Sequence, residues 1–488
     1  MQKYKNKNLE SLFYIKYPLL LFYLIMKNYD LAIIGSGPGG YVAAIRAAQL
    51  GLKTCVIEAN HIGGICLNWG CIPTKALLKC SEVNYTLSHL SDYGFSAENI
   101  KFDFNKVIER SRKVASQLSN GVKMLLKKNK VEVIEGFAKF VSKNELSISN
   151  GEKVKAKHII VATGAKAKTL KGFEPDGEKI WTYKEALMPT NLPKSIIIVG
   201  SGAIGSEFAN FYANMGSKVT ILEGANRILP AEDSEISKLA KKAFEKQGIT
   251  IETEIKLESV QKTGKYVKVK YSGKEIEAEK LIMAVGVVPN TSEIGLEITG
   301  IKTNERGLIE VSKHLQTSVQ NIYAIGDVVE GPWLAHKASH EGIIVAEFIA
   351  SQEGKYPLSK VHSLNRLNIP GCTYTRPQIA SVGLTEEKAL EKGYKIKIGR
   401  FSPVGNGKSV AIGQTEGLIK VIFEEKTGEL LGAHMIGAEV TELISSFLVG
   451  KQMEGTEEDF MQTIFPHPSL SEMMHEAVLD AFGKVIHM

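Results

Sequence analysis

The chain has 488 residues, 44% of them hydrophobic and 23% charged, a composition typical of globular proteins with about two to four domains. Its formal net charge is +7, but residues 1–25 alone carry four lysines against one glutamate. The remainder is nearly neutral, which excludes the strong basic surface of nucleic-acid-binding and membrane-surface proteins, so we expect neither partner. Five cysteines suit a reducing compartment.

Residues 1–25 are predicted to be an extraneous or disordered extension. The apolar run Leu19–Met26 is too short to span a bilayer and has no small-residue cleavage site. The first arginine is Arg46, whereas mitochondrial targeting segments are rich in arginine. We therefore expect translation to start at Met26 and the protein to work in a bacterial-type cytoplasm, with the mitochondrial matrix as the alternative.

Residues 29–58 have the pattern of a unit that binds the ADP part of a dinucleotide. An apolar strand (29–34), a helical run (41–50) and a second strand (54–58) follow one another. The turn between the first strand and the helix carries Gly35, Gly37 and Gly40, which permit a tight turn, close approach of the pyrophosphate and close helix packing. Glu58 ends the second strand and is expected to accept hydrogen bonds from the ribose hydroxyls.

Two cysteines, Cys66 and Cys71, lie in a glycine-rich segment shortly after this unit. Positions five apart on a regular helix point about 140° apart, so a bond between them needs a distorted turn, which the glycines at 63, 64 and 70 permit. A structural bridge is disfavoured because no other plausible pair exists. Zinc is disfavoured because the spacings of His61, Cys66, Cys71 and Cys80 match no usual zinc motif. We interpret the pair as a redox couple and expect no metal site.

The glycine unit then recurs. A strand at 196–199 leads into a second triad and a second acid, again 23 positions after the first glycine: Gly200, Gly202, Gly205 and Glu223. The strand end Ala162-Thr163-Gly164 also recurs, as Ala284-Val285-Gly286, so Thr163, Gly164 and Gly286 are candidate cofactor contacts. Two copies indicate two dinucleotides, and the intact second triad argues against a decayed copy that binds nothing.

Two further signals lie in the last third of the chain. A strand at 321–326 delivers Asp327 to a loop, where it is placed either to hold a cofactor's sugar hydroxyls or to cap a turn. From residue 369 the pattern changes to alternating strands (395–401 and 418–423) and a helix at 440–451. His467, between two prolines and five residues before Glu472, indicates an oriented acid–base pair, with an incidental surface histidine as the alternative.

The stretches 64–75 and 467–472 are the most specific motifs, and from about Tyr29 to Lys484 the chain resembles the class I pyridine nucleotide–disulfide oxidoreductases. The resemblance implies an α/β fold with two Rossmann-like dinucleotide-binding domains, for FAD and NAD, a central domain and a C-terminal α+β dimerisation domain. The expected boundaries are 26–174 (FAD), 175–295 (NAD), 296–368 (central, completing the FAD site) and 369–488 (dimerisation), in a homodimer.

The resemblance also implies roles for individual residues. Cys66 would be the interchange thiol that faces the substrate, and Cys71 the thiol beside the flavin. Lys75 and Glu207 would pair near the reactive ring nitrogen of the flavin. Asp327 would hold the ribityl chain, and His467, oriented by Glu472, would act at the partner subunit's site. One departure is Val287-Val288, where many members of the family carry an arginine before Pro289-Asn290.

The implied activity is oxidation of protein-bound dihydrolipoamide to lipoamide with reduction of NAD⁺. The implied partners are the lipoyl domains of 2-oxoacid dehydrogenase complexes or the carrier protein of the glycine cleavage system. The alternatives are glutathione-type or mercuric reductases, a soluble transhydrogenase, and a complex-bound subunit with vestigial activity. Glu223 disfavours the NADPH enzymes because it would repel a 2′-phosphate, and the nearest arginine is Arg227.

Overall fold

The computed structural model describes residues 26–487, so the predicted extension at 1–25 lies outside the described residues. Among the residues described, no helix combines the length and the apolar character needed to cross a membrane. Short 3-10 helices lie at Leu90–Tyr93, Gly326–Val328, Leu358–Lys360, Arg366–Asn368 and Pro403–Gly405.

The first unit alternates strands and helices around a central parallel strand. Its elements are β1 (Lys27–Ile34), α1 (Pro38–Gln49), β2 (Thr54–Glu58), α2 (Gly64–Trp69), α3 (Cys71–Ser88), α4 (Phe104–Lys128), β3 (Glu132–Glu135), β4 (Ala138–Ser142), β5 (Glu145–Ile148), β6 (Lys153–Val161) and β7 (Ala165–Ala167). Strand β1 lies parallel to β2 and β6, and β3 lies parallel to β2. The turn from β1 to α1 therefore lies at the carboxyl edge of the parallel strands, where ligands bind in such sheets.

The helix predicted at 41–50 begins earlier than expected, at Pro38. Proline is well suited to the first helical position, because its fixed φ matches the helix and its missing N–H would have no partner there. Two glycines of the first triad thus frame the start of α1: Gly37 is its N-cap and Gly40 lies inside its first turn. The glycine turn and the helix start are one structure.

The second unit repeats this arrangement. Its elements are β8 (Ile180–Trp181), α5 (Tyr183–Leu187), β9 (Ser195–Val199), α6 (Ala203–Asn214), β10 (Lys218–Leu222), α7 (Ser234–Lys246), β11 (Thr250–Glu252), β12 (Leu257–Thr263), β13 (Tyr266–Tyr271), β14 (Lys274–Ala278), β15 (Lys280–Met283) and β16 (Val287–Pro289). A parallel sheet runs in the order β11-β10-β9-β15-β8, and β12, β13 and β14 form an antiparallel sheet beside it. Strand β16 pairs with β7, which joins the two units.

The chain then returns to the first sheet. The elements of this segment are α8 (Leu296–Thr299), β17 (Ile322–Ala324) and α9 (Ala335–Gln352). Strand β17 lies parallel to the end of β6, and α9 packs against α1. The two helices touch at glycines, since a Cβ on Gly342 would lie 2.6 Å from the carbonyl oxygen of Gly39. The segment thereby brings Asp327 to the carboxyl edge of the first sheet.

The C-terminal unit is an antiparallel sheet covered by helices. Its elements are β18 (Gly371–Thr373), β19 (Gln378–Gly383), α10 (Glu386–Glu391), β20 (Ile396–Phe401), α11 (Gly407–Ala411), β21 (Leu418–Glu424), β22 (Leu430–Gly437), α12 (Val440–Gln452), α13 (Glu457–Gln462) and α14 (Glu472–Ala481). The strand order is β18-β19-β22-β21-β20. The mixed α/β architecture expected from the sequence is confirmed, while the four domain boundaries stay predictions.

The alternation predicted for 418–423 is wrong, because all six of these residues are buried. Helix α14 packs against β21, and the Lys420 ammonium of this strand lies 2.8 Å from Asp233 of the second unit and 2.7 Å from Glu386 of α10. A lysine in a strand ordinarily indicates a solvent-facing position. Here these two carboxylates and that of Glu235, at 3.2 Å, compensate its buried charge, so the polar residue does not mark an exposed face.

Candidate redox and dinucleotide-binding sites

The predicted distortion between the two cysteines is present and lies at Gly70. Cys66 is on α2, whereas Cys71 is the first residue of α3, and Gly70 between the helices has φ −145° and ψ −114°. The entry to α2 is made by Gly63 and Gly64, both with positive φ (90° and 62°). The break rotates the second thiol from its regular helical position and lets it approach the first.

Both cysteines are free thiols, and neither is fully buried. Hydrogen bonding with the Cys66 thiol lowers the pKa of Cys71, and the nearby Lys75 ammonium lowers it further. The same hydrogen bond, together with burial, raises the pKa of Cys66. Cys71 also begins an 18-residue helix, whose amino end favours an anion. These effects favour a thiolate at Cys71 over one at Cys66.

Lys75 and Glu207 meet across the two nucleotide-binding units. The Lys75 Nζ lies 2.8 Å from both oxygens of the Glu207 carboxylate, whose side chain is only 6% exposed. A third segment joins them, since the Tyr374 backbone N–H donates to Glu207 Oε1 at 2.9 Å and the Lys75 ammonium lies 4.5 Å from the Tyr374 ring centroid. No sequence motif indicated that Tyr374 takes part.

The two glycine turns have the same geometry. Gly35 and Gly200 have φ of +102° and +97°, and a Cβ at either position would collide with the carbonyl oxygen of Ala162 or Ala284. The third glycines are equally constrained, because a Cβ there would collide with the carbonyl oxygen of the first glycine in the same turn. The middle glycines instead face open space, since a Cβ added at Gly37 or Gly202 would meet nothing within 4 Å. Each turn thus offers a helix N-terminus to an anion, as a pyrophosphate requires.

The acids that end the second strands lie directly beside these turns. Glu58 Oε2 accepts from the backbone N–H of Ser36 at 2.9 Å, and Glu223 Oε2 accepts from the backbone N–H of Ser201 at 2.8 Å. Each acid is therefore at the position expected of a ribose ligand. Nothing in the glycine pattern itself had singled out the two serines.

A polar cavity of about 370 Å³ opens next to Glu58 and extends to Trp69, Arg112 and Glu135. The Arg112 guanidinium lies 5.2 Å from the Trp69 ring centroid and donates to the Asn68 carbonyl at 2.8 Å. Among residues 26–487, its buried Nε has no hydrogen-bond partner. A roomy polar cavity with an unpaired donor, beside an acid at this position, fits the adenosine end of a dinucleotide.

Gly326, the residue before Asp327, is held through its N–H and through its carbonyl by the two members of a buried ion pair. Gly326 N–H donates to Glu341 Oε2 at 2.8 Å, and Lys337 Nζ donates to the Gly326 carbonyl at 3.0 Å. The Lys337–Glu341 pair is 3.1 Å long, with side chains 0% and 2% exposed. Burial raises the pKa of Asp327, and the Lys337 charge opposes that shift. The sequence could have indicated this support for the loop through a lysine and a glutamate four positions apart on a mostly apolar helix, but no motif singled them out.

The repeated strand ends meet where the two units join. The Thr163 hydroxyl donates to the Asn290 carbonyl at 2.7 Å, and the Asn290 side chain donates to the Thr163 carbonyl at 3.0 Å. Gly164 and Gly286 directly precede the paired strands β7 and β16 and have positive φ (67° and 105°). These residues form the seam between the units, and their contact with a cofactor stays a prediction.

His467 and Glu472 form the expected pair, with 2.9 Å between Nδ1 and Oε1. The other carboxylate oxygen accepts from the Ser469 N–H at 2.8 Å, and Asn406 holds the Ser469 carbonyl at 3.0 Å. Burial tends to raise the pKa of Glu472, but the Ser469 N–H and His467 hold it below its ordinary value. The imidazole is 78% exposed, and within residues 26–487 its ring bonds to Glu472 and to neither cysteine. The pair is thus directed outward from its own chain.

Within the described part of the chain, no three His, Cys, Asp or Glu side chains converge in a way that would hold a metal ion.

Comparison with known proteins gives close relatives along almost the whole chain. A dihydrolipoyl dehydrogenase of Rhizobium etli is 51% identical, with 94% of this chain and 99% of the relative covered. One of Zymomonas mobilis is 50% identical over the same shares. Among solved structures, LpdA from Mycobacterium tuberculosis superposes with a TM-score of 0.85 at 27% identity, covering 93% of this chain and 99% of that one.

The HOCl-induced flavoprotein disulfide reductase RclA from Escherichia coli superposes with a TM-score of 0.82 at 28% identity, covering 92% and 99% of the two chains. Family descriptions agree with these similarities. The pyridine nucleotide-disulphide oxidoreductase description matches residues 29–342, and the dimerisation domain of that family matches residues 369–478. The chain therefore belongs to the pyridine nucleotide-disulphide oxidoreductase family.

Proposed function

We propose that this protein oxidises protein-bound dihydrolipoamide to lipoamide and reduces NAD⁺ to NADH, with FAD as its bound cofactor. The observation that carries the proposal is the Cys66–Cys71 pair at the break between α2 and α3, with Cys71 one helical turn before Lys75, whose ammonium Glu207 holds. Relatives that are half identical along nearly the full chain are dihydrolipoyl dehydrogenases, which supports this substrate over glutathione or mercuric ion.

The chain's own residues account for the thiol chemistry. In the oxidised enzyme the two cysteines form a disulfide, and His467 Nε2, supplied by the other subunit of the homodimer, takes a proton from one substrate thiol while Glu472 holds the Nδ1–H. The substrate thiolate attacks Cys66 Sγ, the disulfide breaks, and Cys71 leaves as a thiolate. The second substrate sulfur then displaces Cys66, which closes lipoamide and transfers the second proton to Cys66.

This sequence ends with a thiol at Cys66, a thiolate at Cys71 and a proton on His467, so two electrons and two protons have left the substrate. The protonation of the two cysteines is the one that their shared hydrogen bond favours. FAD, when bound, supplies the two-electron chemistry that links these thiols to NAD⁺. The Lys75 ammonium, held by Glu207, provides a positive charge beside the thiolate.

We assign FAD to the first glycine turn and NAD to the second. The FAD-binding residues are Gly35, Gly37, Gly40, Glu58, Lys75, Thr163, Gly164 and Asp327. The NAD-binding residues are Gly200, Gly202, Gly205, Glu223 and Gly286. The match of residues 369–478 to a dimerisation domain supports a homodimer, and the exposed His467 suits a role at the partner subunit's dithiol site. The proposed partners are lipoyl domains or the glycine cleavage carrier protein, in a bacterial-type cytoplasm.

The purified protein tests the proposal directly. It should be yellow, lose that colour when NADH is added, and reduce NAD⁺ when given dihydrolipoamide. Glutathione disulfide with NADPH serves as the competing substrate pair. A protein that reduces glutathione disulfide faster than it oxidises dihydrolipoamide would contradict the assignment.

Replacing Glu223 with alanine should lower kcat/KM for NAD⁺ about tenfold and relax discrimination against NADP⁺, because the carboxylate binds a ribose hydroxyl but repels a phosphate. Arg227 does not compensate, since Glu387 binds its guanidinium through two hydrogen bonds of 2.8 Å. The matched control is Glu245→Ala, which removes an exposed carboxylate of α7. A wild-type protein that prefers NADP⁺ would refute this role of Glu223.

A further inference from the structure

A serine occupies the same place in both glycine turns, directly after the first glycine, and both serines are completely buried. The Ser36 hydroxyl donates to Glu58 Oε2 at 2.6 Å, next to the bond from its own backbone N–H to the same oxygen. The Ser201 hydroxyl donates to Glu223 Oε2 at 2.5 Å with the same second bond. The two units thus share a serine–acid contact in addition to their glycines.

Each serine also anchors the segment that follows its acid. The Gly63 N–H donates to the Ser36 carbonyl at 3.1 Å and approaches its hydroxyl at 3.3 Å. The Leu229 N–H makes the same two contacts with Ser201, again at 3.1 and 3.3 Å. In the first unit, Gly63 is the N-cap of α2, the helix that carries Cys66. Ser36 therefore connects the first turn, its acid and the start of the cysteine segment.

The remaining acceptor sites show why this contact matters for binding. Oε2 of each acid already takes two donors from its serine, whereas Oε1 takes one, from the N–H of Asn60 or of Ala225 at 2.8 Å. An ionised carboxylate offers about four acceptor positions, so one position on Oε1 remains for a ribose hydroxyl. The serine holds the rotamer of the carboxylate through Oε2, and without the hydroxyl the carboxylate loses that restraint.

We propose that Ser36 and Ser201 are positioning residues that orient the ribose-binding acids of the FAD site and of the NAD site, respectively. The inference rests on the proposed function only in assigning FAD to the first unit and NAD to the second. Because the two serines have equivalent contacts in different units, each is the matched control for the other.

The test compares Ser36→Ala with Ser201→Ala in the full-length protein. Ser36→Ala should weaken FAD binding about tenfold, measured by titrating flavin into the apoprotein, and should leave the KM for NAD⁺ unchanged. Ser201→Ala should raise the KM for NAD⁺ about tenfold with little change in kcat, and should leave FAD affinity unchanged. A purely structural serine would instead lower the thermal midpoint and alter both dinucleotides together.

Double variants test whether the serine acts through its acid. If it does, Ser201→Ala added to Glu223→Ala should cost far less than it does in the wild type, and Ser36→Ala added to Glu58→Ala should behave likewise. Ser36→Thr and Ser201→Thr keep a hydroxyl and should recover most of the lost affinity. The affinity for FAD is measured on the apoprotein, and the KM for NAD⁺ is measured on the flavin-loaded holoprotein. The FAD affinity of a variant can therefore be measured even if that variant loses its flavin.

Unchanged constants in both alanine variants, or full additivity in both double variants, would overturn the inference. The wild-type protein distinguishes this failure from that of the proposed function. If wild type binds neither FAD nor NAD, the functional assignment falls. If wild type binds both and the serine variants match it, only the positioning role falls.

Discussion

Replacing His467 with glutamine should slow dihydrolipoamide oxidation by about 10²- to 10⁴-fold, the contribution that a positioned acid–base group typically makes. Glutamine keeps a hydrogen-bonding side chain of similar reach but cannot take the thiol proton. Glu472→Gln should show a smaller loss, because this carboxylate orients the imidazole through a 2.9 Å hydrogen bond without carrying the substrate proton itself. Steady-state rates with dihydrolipoamide measure both effects.

The other half of the reaction provides the internal control for His467. Electron transfer from NADH to an artificial acceptor needs no thiol deprotonation, so it should survive in His467→Gln. His487→Gln is the matched variant, because His487 also pairs with a glutamate of α14, at 2.6 Å from Glu476, and has no assigned catalytic role. A dimeric His467→Gln enzyme with a normal rate would refute the assignment. Parallel loss of both half-reactions and of the dimer would indicate a structural role instead.

Replacing either Cys66 or Cys71 with serine should reduce dihydrolipoamide-dependent NAD⁺ reduction to background, a loss on the order of 10⁴-fold or more, since removal of a catalytic nucleophile can cost about 10⁶. A serine hydroxyl can neither form nor break the disulfide through which the electrons leave the substrate. Cys80→Ser, farther along α3, is the matched control and should keep its activity.

A thiol-reactive aromatic disulfide distinguishes the roles of the two cysteines. The reagent transfers one aryl thiol to an accessible cysteine and releases the other as a coloured thiolate. If Cys66 faces the substrate, Cys71→Ser should retain a rapidly reacting thiol that Cys66→Ser lacks. The reverse pattern would exchange the two assignments, and equal labelling of both variants would remove the basis for distinguishing them.

The sequence predicts those parts of the site whose residues are separated by short distances along the chain. The glycine triads, the acids 23 positions later, the cysteine pair and the His467–Glu472 pair all involve residues close in the chain, so turn and helix geometry constrain them. The structure agrees even in detail, because the break needed between the cysteines occurs at Gly70.

Spacing alone does not reveal contacts between distant segments, and the Lys75–Glu207 pair, 132 residues apart, was predicted only by the family resemblance. Tyr374 lies 167 residues from Glu207 in the chain and contacts it through its backbone N–H. Because almost every residue type carries such a group, the sequence does not reveal the contact. The serine contacts were not predicted, because a serine in a glycine-rich turn ordinarily forms hydrogen bonds within the turn itself. Lys420 misled the strand pattern, because its charge is compensated by carboxylates from other segments. Local periodicity carries no information about such partners.

The meeting of Lys75, Glu207 and Tyr374 has a consequence for how the protein folds. The carboxylate joins residues 132 and 167 positions away from it in the chain. Contacts of such long range form late, because large loops must close before their partners can attract one another. The electrostatic surroundings of the dithiol are thus completed only when the C-terminal unit docks. During synthesis, the charged pair cannot acquire its third partner until residue 374 has left the ribosome, so a nascent chain ending before that point has the cysteines but an unfinished reaction centre.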